Sequence, residues 1–272
     1  MLSSNVKKFN DCFLVFAREL CVIHARHAVC RRLLTQGLLF RLAEALASAG
    51  TLDPRRTADL VQRARSFYGT RCFFRAAEAC PPLALDPTHT AVIVVDMVNE
   101  FFEPGGKMVL AGGTALYAPV NALIDAAHTA HLPVFYTNQW LRPDDALFKK
   151  RIPHCLIDTW GARLVDAVHR APEDILVPKR RYSAFFGTDL DLHLRERQIA
   201  TVLVAGVVTN ICVRSTVHDA FFLGYEVVVP VECVAATSPQ AQATSLYDIN
   251  THYGTVAPLA QVLALLRVPQ AV

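Results

Sequence analysis

The segment that decides the fold reads TVLVAGVVTNICV and spans residues 201–213. It is a run rich in β-branched residues that passes through Gly206 to Cys212, as expected for a buried strand that ends in a turn. The apolar residues that follow recur with helical spacing and are Val213, Val217, Ala220 and Phe221. Gly224 then supplies a helix stop. The segment predicts a strand, a turn and a helix, with Cys212 where the helix begins.

Cys212 is the first candidate for a nucleophile. At a helix start, unpaired amide N–H groups and the positive end of the helix dipole favour the thiolate, which is the form that attacks a carbonyl carbon. The alternative is a small buried apolar residue, because free cysteines are often buried and inert. The environment of the thiol decides between these two interpretations.

Two ionisable residues follow other predicted strands. The apolar residues 91–95 end in Asp96, and the short apolar run 175–177 is followed by Pro178 and Lys179. Continuous runs of this kind indicate strands of a parallel sheet, and functional groups of such sheets collect at the carboxyl ends of the strands. Either residue alone would be read as a solvated surface charge. Together with Cys212 they indicate a catalytic cluster.

The order of these signals predicts an α/β fold with a mainly parallel, Rossmann-like sheet covered by helices on both faces. The expected strands lie near residues 91–95, 133–137, 175–177, 200–206, 226–230 and 255–257. No G-x-G-x-x-G segment follows a strand, so a nicotinamide-binding version of the fold is not favoured.

Charge divides the chain into two parts. Residues 1–80 carry 13 Lys and Arg against 6 Asp and Glu, whereas the remainder carries 14 against 18. The mildly acidic remainder does not suggest nucleic-acid binding. No apolar stretch is long enough to span a bilayer, so no membrane partner is expected. The expected partner is a small-molecule substrate.

Residues 1–87 are predicted to form a basic helical N-terminal extension, with the catalytic domain at 88–272. Helical patterns cover roughly 6–49 and 55–79, and a proline-rich boundary follows. The extension is a candidate oligomerisation element, a mitochondrial transit peptide or a segment with little fixed structure. It also holds five of the eight cysteines. Without a secretory signal, free thiols and a cytoplasmic location are expected, or a mitochondrial one if the extension is a targeting leader.

The catalytic region resembles the isochorismatase-like family of cysteine hydrolases. The motifs that carry the resemblance are DMVNEFF at 96–102, KRRYSAFFGTDLDLHL at 179–194 and GVVTNICV at 206–213. The resemblance covers residues 88–267. It implies a three-layer αβα sandwich and a homo-oligomer. The principal alternative is a catalytically silent αβα scaffold or partner-binding protein.

The resemblance also implies a mechanism. Asp96 takes the thiol proton of Cys212, the thiolate attacks an amide or ureido carbonyl to form an acyl-thioester, and Lys179 stabilises the charged partners. It further implies a cis peptide bond between Val207 and Val208, with the N–H groups of Val208 and Cys212 forming an oxyanion hole.

Residues at other positions distinguish the branches of this family. Members that cleave isochorismate do not keep the cysteine, so Cys212 favours C–N hydrolysis. Nicotinamidase-type members bind a metal through Asp-x-His after the second strand, where this chain has Gln139 and Leu141. Leucine cannot ligate a metal and glutamine is a poor substitute for a carboxylate. The sequence therefore predicts a metal-independent enzyme without a cofactor, with a nicotinamidase-like hydrolase as the alternative.

The motifs are most similar to those of ureidoacrylate, biuret and N-carbamoylsarcosine hydrolases. Members of that branch often carry an acidic residue and a histidine where this chain has Gln240 and Gln242, which leaves the substrate open. Planar or polar side chains near strand ends are the candidates for substrate binding, since flat rings exclude water around a planar amide, although core packing is the alternative interpretation. These candidates are Phe101, Asn138, Trp160, Tyr182 and Phe185.

Overall fold

Seven parallel strands form the centre of the molecule. The computed structural model describes residues 83–267, which all belong to one compact unit. The strands are β1 (Thr90–Val95), β2 (Val134–Thr137), β3 (Ile175–Leu176), β4 (Thr201–Val207), β5 (Glu226–Pro230), β6 (Val234–Ala235) and β7 (Thr255–Ala257). Their order in the sheet is β3-β2-β1-β4-β5-β7, and β6 pairs with the end of β4.

Helices cover both faces of this sheet. They are α1 (Asn99–Phe102), α2 (Tyr117–Thr129), α3 (Leu190–Glu196), α4 (Arg214–Phe222), α5 (Pro239–Asp248) and α6 (Leu259–Leu266). One core cluster packs α2 and α6 against Val92 and Val94, and the other packs α3 and α4 against Ile93 and Val95. Successive side chains of β1 thus point alternately into two apolar layers, which explains why every residue of this strand is buried.

The predicted αβα sandwich is confirmed. Each of the six expected strands is present within one or two residues of its predicted bounds. The two-residue strand β6 was not predicted, because so short a segment has no periodic signal. The predicted helical extension at 1–87 lies almost wholly outside the described residues. Among the residues that the structure describes, no helix is both long and apolar enough to cross a membrane.

The segment after β4 differs from its prediction in one detail. A π-helical turn, Thr209–Val213, precedes α4, and Cys212 lies inside that turn rather than at the first residue of an α-helix. Gly224 ends the helix in the left-handed region with φ = 87°, as predicted. Phe221 is exposed, so its assignment to the buried stripe of the helix was wrong.

Candidate active site

A buried ion pair lies at the carboxyl edge of the sheet. Asp96 directly follows β1, and Lys179 follows β3 on the other side of β2. The Lys179 Nζ atom lies 2.7 Å from Asp96 Oδ2, and both side chains have no exposed surface. Since charges are costly to bury without a partner, this pair is held by mutual attraction and by further hydrogen bonds.

Backbone groups hold both members of the pair. The N–H of Gln139 donates to Asp96 Oδ1 at 2.7 Å, and Asp96 itself adopts a left-handed conformation with φ = 52°. The Lys179 backbone exchanges hydrogen bonds with Asn138 and Trp140, and its Nζ also donates to the carbonyl of Arg181 at 3.2 Å. Burial by itself lowers the pKa of Lys179, but Asp96 and then Cys212 outweigh it and raise the pKa above its usual value. Lys179 is therefore a permanent cation.

Cys212 completes the cluster. Its side chain is buried, and its thiol interacts with both Asp96 and Lys179. Burial raises the pKa of the Cys212 thiol; Lys179 opposes this rise and Asp96 adds to it. Desolvation therefore outweighs the Lys179 cation and disfavours the thiolate, against the expectation that a helix start would favour it. Of the two charged groups beside the thiol, Asp96 is the one that can accept a proton.

The turn that carries Cys212 is held from both sides. The peptide bond between Val207 and Val208 is cis, as the family resemblance implied. The carbonyl of Cys212 accepts a hydrogen bond from Thr216 Oγ1 at 2.8 Å, and the same hydroxyl oxygen accepts one from the N–H of Ala184. These bonds connect the turn to the loop that leads from Lys179 to α3.

The five predicted substrate-binding residues differ in burial and in their neighbours. Phe101 is half-buried beside His154, with ring centroids 6.1 Å apart. Tyr182 is half-buried against the core, and Phe185 is buried in that core with its ring stacked on Tyr225. Trp160 has 46% of its surface exposed. Asn138 is buried.

A cavity of about 340 Å³ opens beside β2 and β3. Asn138, Trp140 and Pro178 line it, and these residues immediately precede or follow Gln139 and Lys179 in the chain. None of Asp96, Lys179 and Cys212 faces it, so the cavity adjoins the cluster without containing it.

Three buried polar residues near the cluster were not predicted. Gln139 donates its backbone N–H to Asp96, and the ring of His154 contacts the Gln139 side chain at 3.1 Å. The carboxylate of Glu100 accepts hydrogen bonds from the N–H groups of Lys107 and Cys155 and joins two loops. Glu100 lies within the DMVNEFF motif. An acidic residue next to the apolar pair that follows it in this motif is a sequence signal that could have identified Glu100. For His154 no signal was available, since its partner is distant in sequence.

Gln139 and Leu141, which stand where nicotinamidase-type members carry their Asp-x-His metal ligands, do not supply such ligands here. Leu141 is fully buried and apolar, and the Gln139 side chain is engaged with His154. Within residues 83–267, no three His, Cys, Asp or Glu side chains cluster in a way that would hold a metal ion.

Comparisons with known proteins agree with this geometry. Residues 90–261 match the isochorismatase domain profile. Over 203 residues the chain is 36% identical to the ureidoacrylate amidohydrolase RutB of Stutzerimonas stutzeri (strain A1501), a match that covers 65% of this chain and 82% of that relative.

Two solved structures are also similar. A cysteine hydrolase from Pseudomonas syringae pv. phaseolicola 1448A superimposes with a TM-score of 0.64 at 28% identity, covering 69% of this chain and 98% of that one. The N-carbamoylsarcosine amidase from Thermoplasma acidophilum gives a TM-score of 0.58 at 31% identity, covering 62% of this chain and 96% of that one.

Proposed function

We propose that this chain, which belongs to the isochorismatase family, works through an acyl-thioester on Cys212. The chain is a hydrolase acting on C–N amide bonds. The observation that supports this proposal is the convergence of Asp96, Lys179 and Cys212 from three separate strand ends. A carboxylate, an ammonium and a thiol in mutual contact constitute a base, a fixed positive charge and a nucleophile.

Proton transfer from Cys212 to Asp96 begins the reaction. Because burial disfavours the thiolate, the resting cluster contains the thiol, the Asp96 carboxylate and the Lys179 ammonium. Substrate binding brings a carbonyl carbon to the sulfur as the proton moves to Asp96. The negative charge then lies on sulfur, where Lys179 stabilises it without moving.

The tetrahedral intermediate needs donors for its oxyanion. In this proposal they are the backbone N–H groups of Val208 and Cys212, which belong to the turn around the cis peptide bond. Backbone donors in a buried site act without reorganisation, so they stabilise the developing charge more than water would.

Asp96 then acts as an acid and afterwards as a base. It returns the proton to the substrate nitrogen while the C–N bond breaks, which releases ammonia or an amine and leaves the acyl group on sulfur. Next it takes a proton from water as the water oxygen attacks the thioester carbon. The C–S bond breaks, the proton returns to sulfur, and the acid product leaves.

The proposed substrate is a small ureido, carbamoyl or amide compound. The names of two relatives, a ureidoacrylate amidohydrolase and an N-carbamoylsarcosine amidase, support this class. The chemistry of Gln139 and Leu141 supports a route without a metal, in contrast to the nicotinamidase-type alternative.

Ammonia release from a substrate panel tests the proposal. The purified full-length protein is assayed with ureidoacrylate, biuret, N-carbamoyl amino acids and nicotinamide. At least one ureido or carbamoyl compound should release ammonia, and the variants Cys212→Ala and Asp96→Asn should each lose about 10³-fold or more in kcat. Mass spectrometry of the quenched reaction should find the acyl group on Cys212. Turnover by Cys212→Ala at the wild-type rate would refute the thioester route.

A further inference from the structure

Thr216 is a buried polar residue that joins two parts of the proposed site. It lies in the first turn of α4, and its side chain is fully buried. Its hydroxyl donates to the carbonyl oxygen of Cys212 at 2.8 Å and accepts from the backbone N–H of Ala184 at 3.0 Å. A carbonyl oxygen can only accept and an amide N–H can only donate, so the direction of both bonds is fixed.

The second of these bonds distinguishes Thr216 from an ordinary helical threonine. Threonine hydroxyls often bond to the carbonyl four residues earlier in a helix, and that local bond by itself indicates no function. Ala184 is 32 residues away, in the loop that leads from Lys179 to α3. The two bonds together connect this loop to the backbone of the proposed nucleophile.

The same loop also holds the ammonium of Lys179. The Lys179 Nζ atom donates to the carbonyl oxygen of Arg181 at 3.2 Å, shortly before Ala184 in the chain. The loop thus contacts the ammonium at one point and, through Thr216, the turn of Cys212 at another. Ala184 and Cys212 belong to the same apolar core cluster, and close packing there limits the movement of both segments.

We propose that Thr216 positions the Cys212 thiol relative to the Lys179 ammonium. This inference rests on the proposed function, in which Lys179 stabilises the negative charge that develops on sulfur. That stabilisation depends on the distance between the two charges. Thr216 acts through the backbone of Cys212, so it is a positioning residue and not a catalytic one.

Removal of the hydroxyl tests the proposal. Thr216→Val keeps the shape of the side chain and loses both hydrogen bonds. With a panel compound that the wild-type protein hydrolyses, kcat should fall by about tenfold and KM should change by less than about twofold, because the geometry of the reaction changes and substrate binding does not. Thr216→Ser keeps the hydroxyl and should restore kcat to within about threefold of the wild type.

Thr90→Val is the matched control for stability. Thr90 is also fully buried and its hydroxyl donates to the carbonyl oxygen of Asp86, but it begins β1, whereas Asp96 follows the other end of that strand. Both valine variants should lower the midpoint of urea unfolding, because each loses a buried hydrogen bond. Thr90→Val should nevertheless keep kcat within about twofold of the wild type.

Crystal structures of the wild type and Thr216→Val give a measurement that does not depend on turnover. The distance between Cys212 Sγ and Lys179 Nζ should change by about 0.5 Å or more. An unchanged distance would overturn the inference, as would a wild-type kcat in Thr216→Val or an equal loss of kcat in Thr216→Ser or Thr90→Val. Should Thr216→Val not fold, Thr216→Ala takes its place. A wild-type protein inactive on the whole panel would contradict the proposed function, whereas the distance would still test the role of Thr216.

Discussion

At the scale of single residues, the thiol of Cys212 is buried and burial raises its pKa, so in the proposed mechanism its reactivity depends on Asp96. Many reactive cysteines are exposed and have a lowered pKa, whereas here burial raises the pKa and the proposed base lies beside the thiol. In the proposed mechanism this arrangement keeps the thiol inert until a substrate occupies the site. The Lys179 ammonium forms an ion pair with Asp96, and in the same proposal it stabilises the thiolate during the reaction.

The residues that replace the Asp-x-His motif predict that chelators will not lower the activity of this protein. Because Leu141 and Gln139 cannot replace an Asp-x-His motif, exhaustive dialysis against EDTA should leave kcat within about twofold of its starting value. Ammonia release before and after dialysis, with and without added Zn²⁺ or Mn²⁺, is the measurement. A tenfold loss that a divalent metal restores would show that other residues bind a catalytic metal.

Buried thiols away from the site predict loss of stability in alkali. Burial, with a smaller contribution from Glu232, raises the pKa of Cys233 from 9.0 to about 12. Above pH 9 the unfolded chain ionises this thiol and the folded chain does not, so the stability present at neutral pH falls as pH rises. At pH 10 the loss from this residue is about 1.4 kcal/mol.

Urea denaturation at pH 7.5 and pH 10, in the presence of a reductant, measures this effect. Cys233→Ala should lose less stability than the wild type between the two pH values, by about 1.4 kcal/mol. The buried control Val234→Ala should keep the wild-type difference. Identical losses in Cys233→Ala and the wild type would contradict the prediction.

At the scale of elements, loops at the carboxyl edge hold the site together. The loop after β3 carries Lys179, and its neighbours Arg180 and Arg181 form ion pairs with the buried carboxylate of Asp145. The carbonyl of Arg181 in turn accepts a hydrogen bond from Lys179 Nζ. The loop that contains Asp145 therefore positions the ammonium through one intermediate residue.

Asp145→Asn tests this positioning role. The amide cannot pair ionically with both arginines, so the Arg181 carbonyl should be less well placed, and kcat should fall by roughly three- to tenfold with a smaller change in KM. Asp144→Asn is the matched control, because Asp144 is an exposed neighbour that forms an ion pair with the exposed Arg142. A wild-type kcat in Asp145→Asn would show that the loop does not position Lys179.

The contact between β4 and β1 depends on Gly206. Its φ is 105°, and a Cβ atom there would lie 2.0 Å from the carbonyl oxygen of Val95, immediately before Asp96. Gly206→Ala should therefore cost roughly 3 kcal/mol or more of folding free energy. Gly224→Ala has a similar φ of 87° but open space around it, and should cost about 1 kcal/mol. Thermal unfolding of both variants is the measurement, and equal costs would contradict the steric argument.

At the scale of the whole molecule, the parallel sheet is what brings the site together. The seven strands of this sheet, the two core layers that cover it and the three proposed catalytic residues lie within residues 83–267. We propose that residues 88–272 are the hydrolase domain and that residues 1–87 are a separate extension, with the boundary close to Asp86, which caps the turn before β1.

Removal of residues 1–82 tests the boundary. Because the core and the site lie beyond that point, the shortened protein should keep kcat within about twofold of the full-length value. Steady-state assays and size-exclusion chromatography of both proteins are the measurements. A tenfold loss of activity would show that the extension contributes to the site or to an assembly that the site needs.

The amino-acid sequence by itself determined six of the seven strands and placed three candidate site residues, Asp96, Lys179 and Cys212, after three of them. Continuous apolar runs such as 91–95 and 201–207 have only one stable environment, a sheet covered on both faces, and the residue after each run must then lie at one edge. For this reason Asp96, Lys179 and Cys212 were predictable without knowledge of their distances.

Only the tertiary structure decided how those residues are surrounded. The rise in the pKa of the Cys212 thiol follows from its burial. The contact of Gln139 with His154 and the pairing of Asp145 with Arg181 join residues that are far apart along the chain. Desolvation and hydrogen bonding depend on every neighbouring atom, and loops bring those neighbours together without any periodic pattern in the sequence.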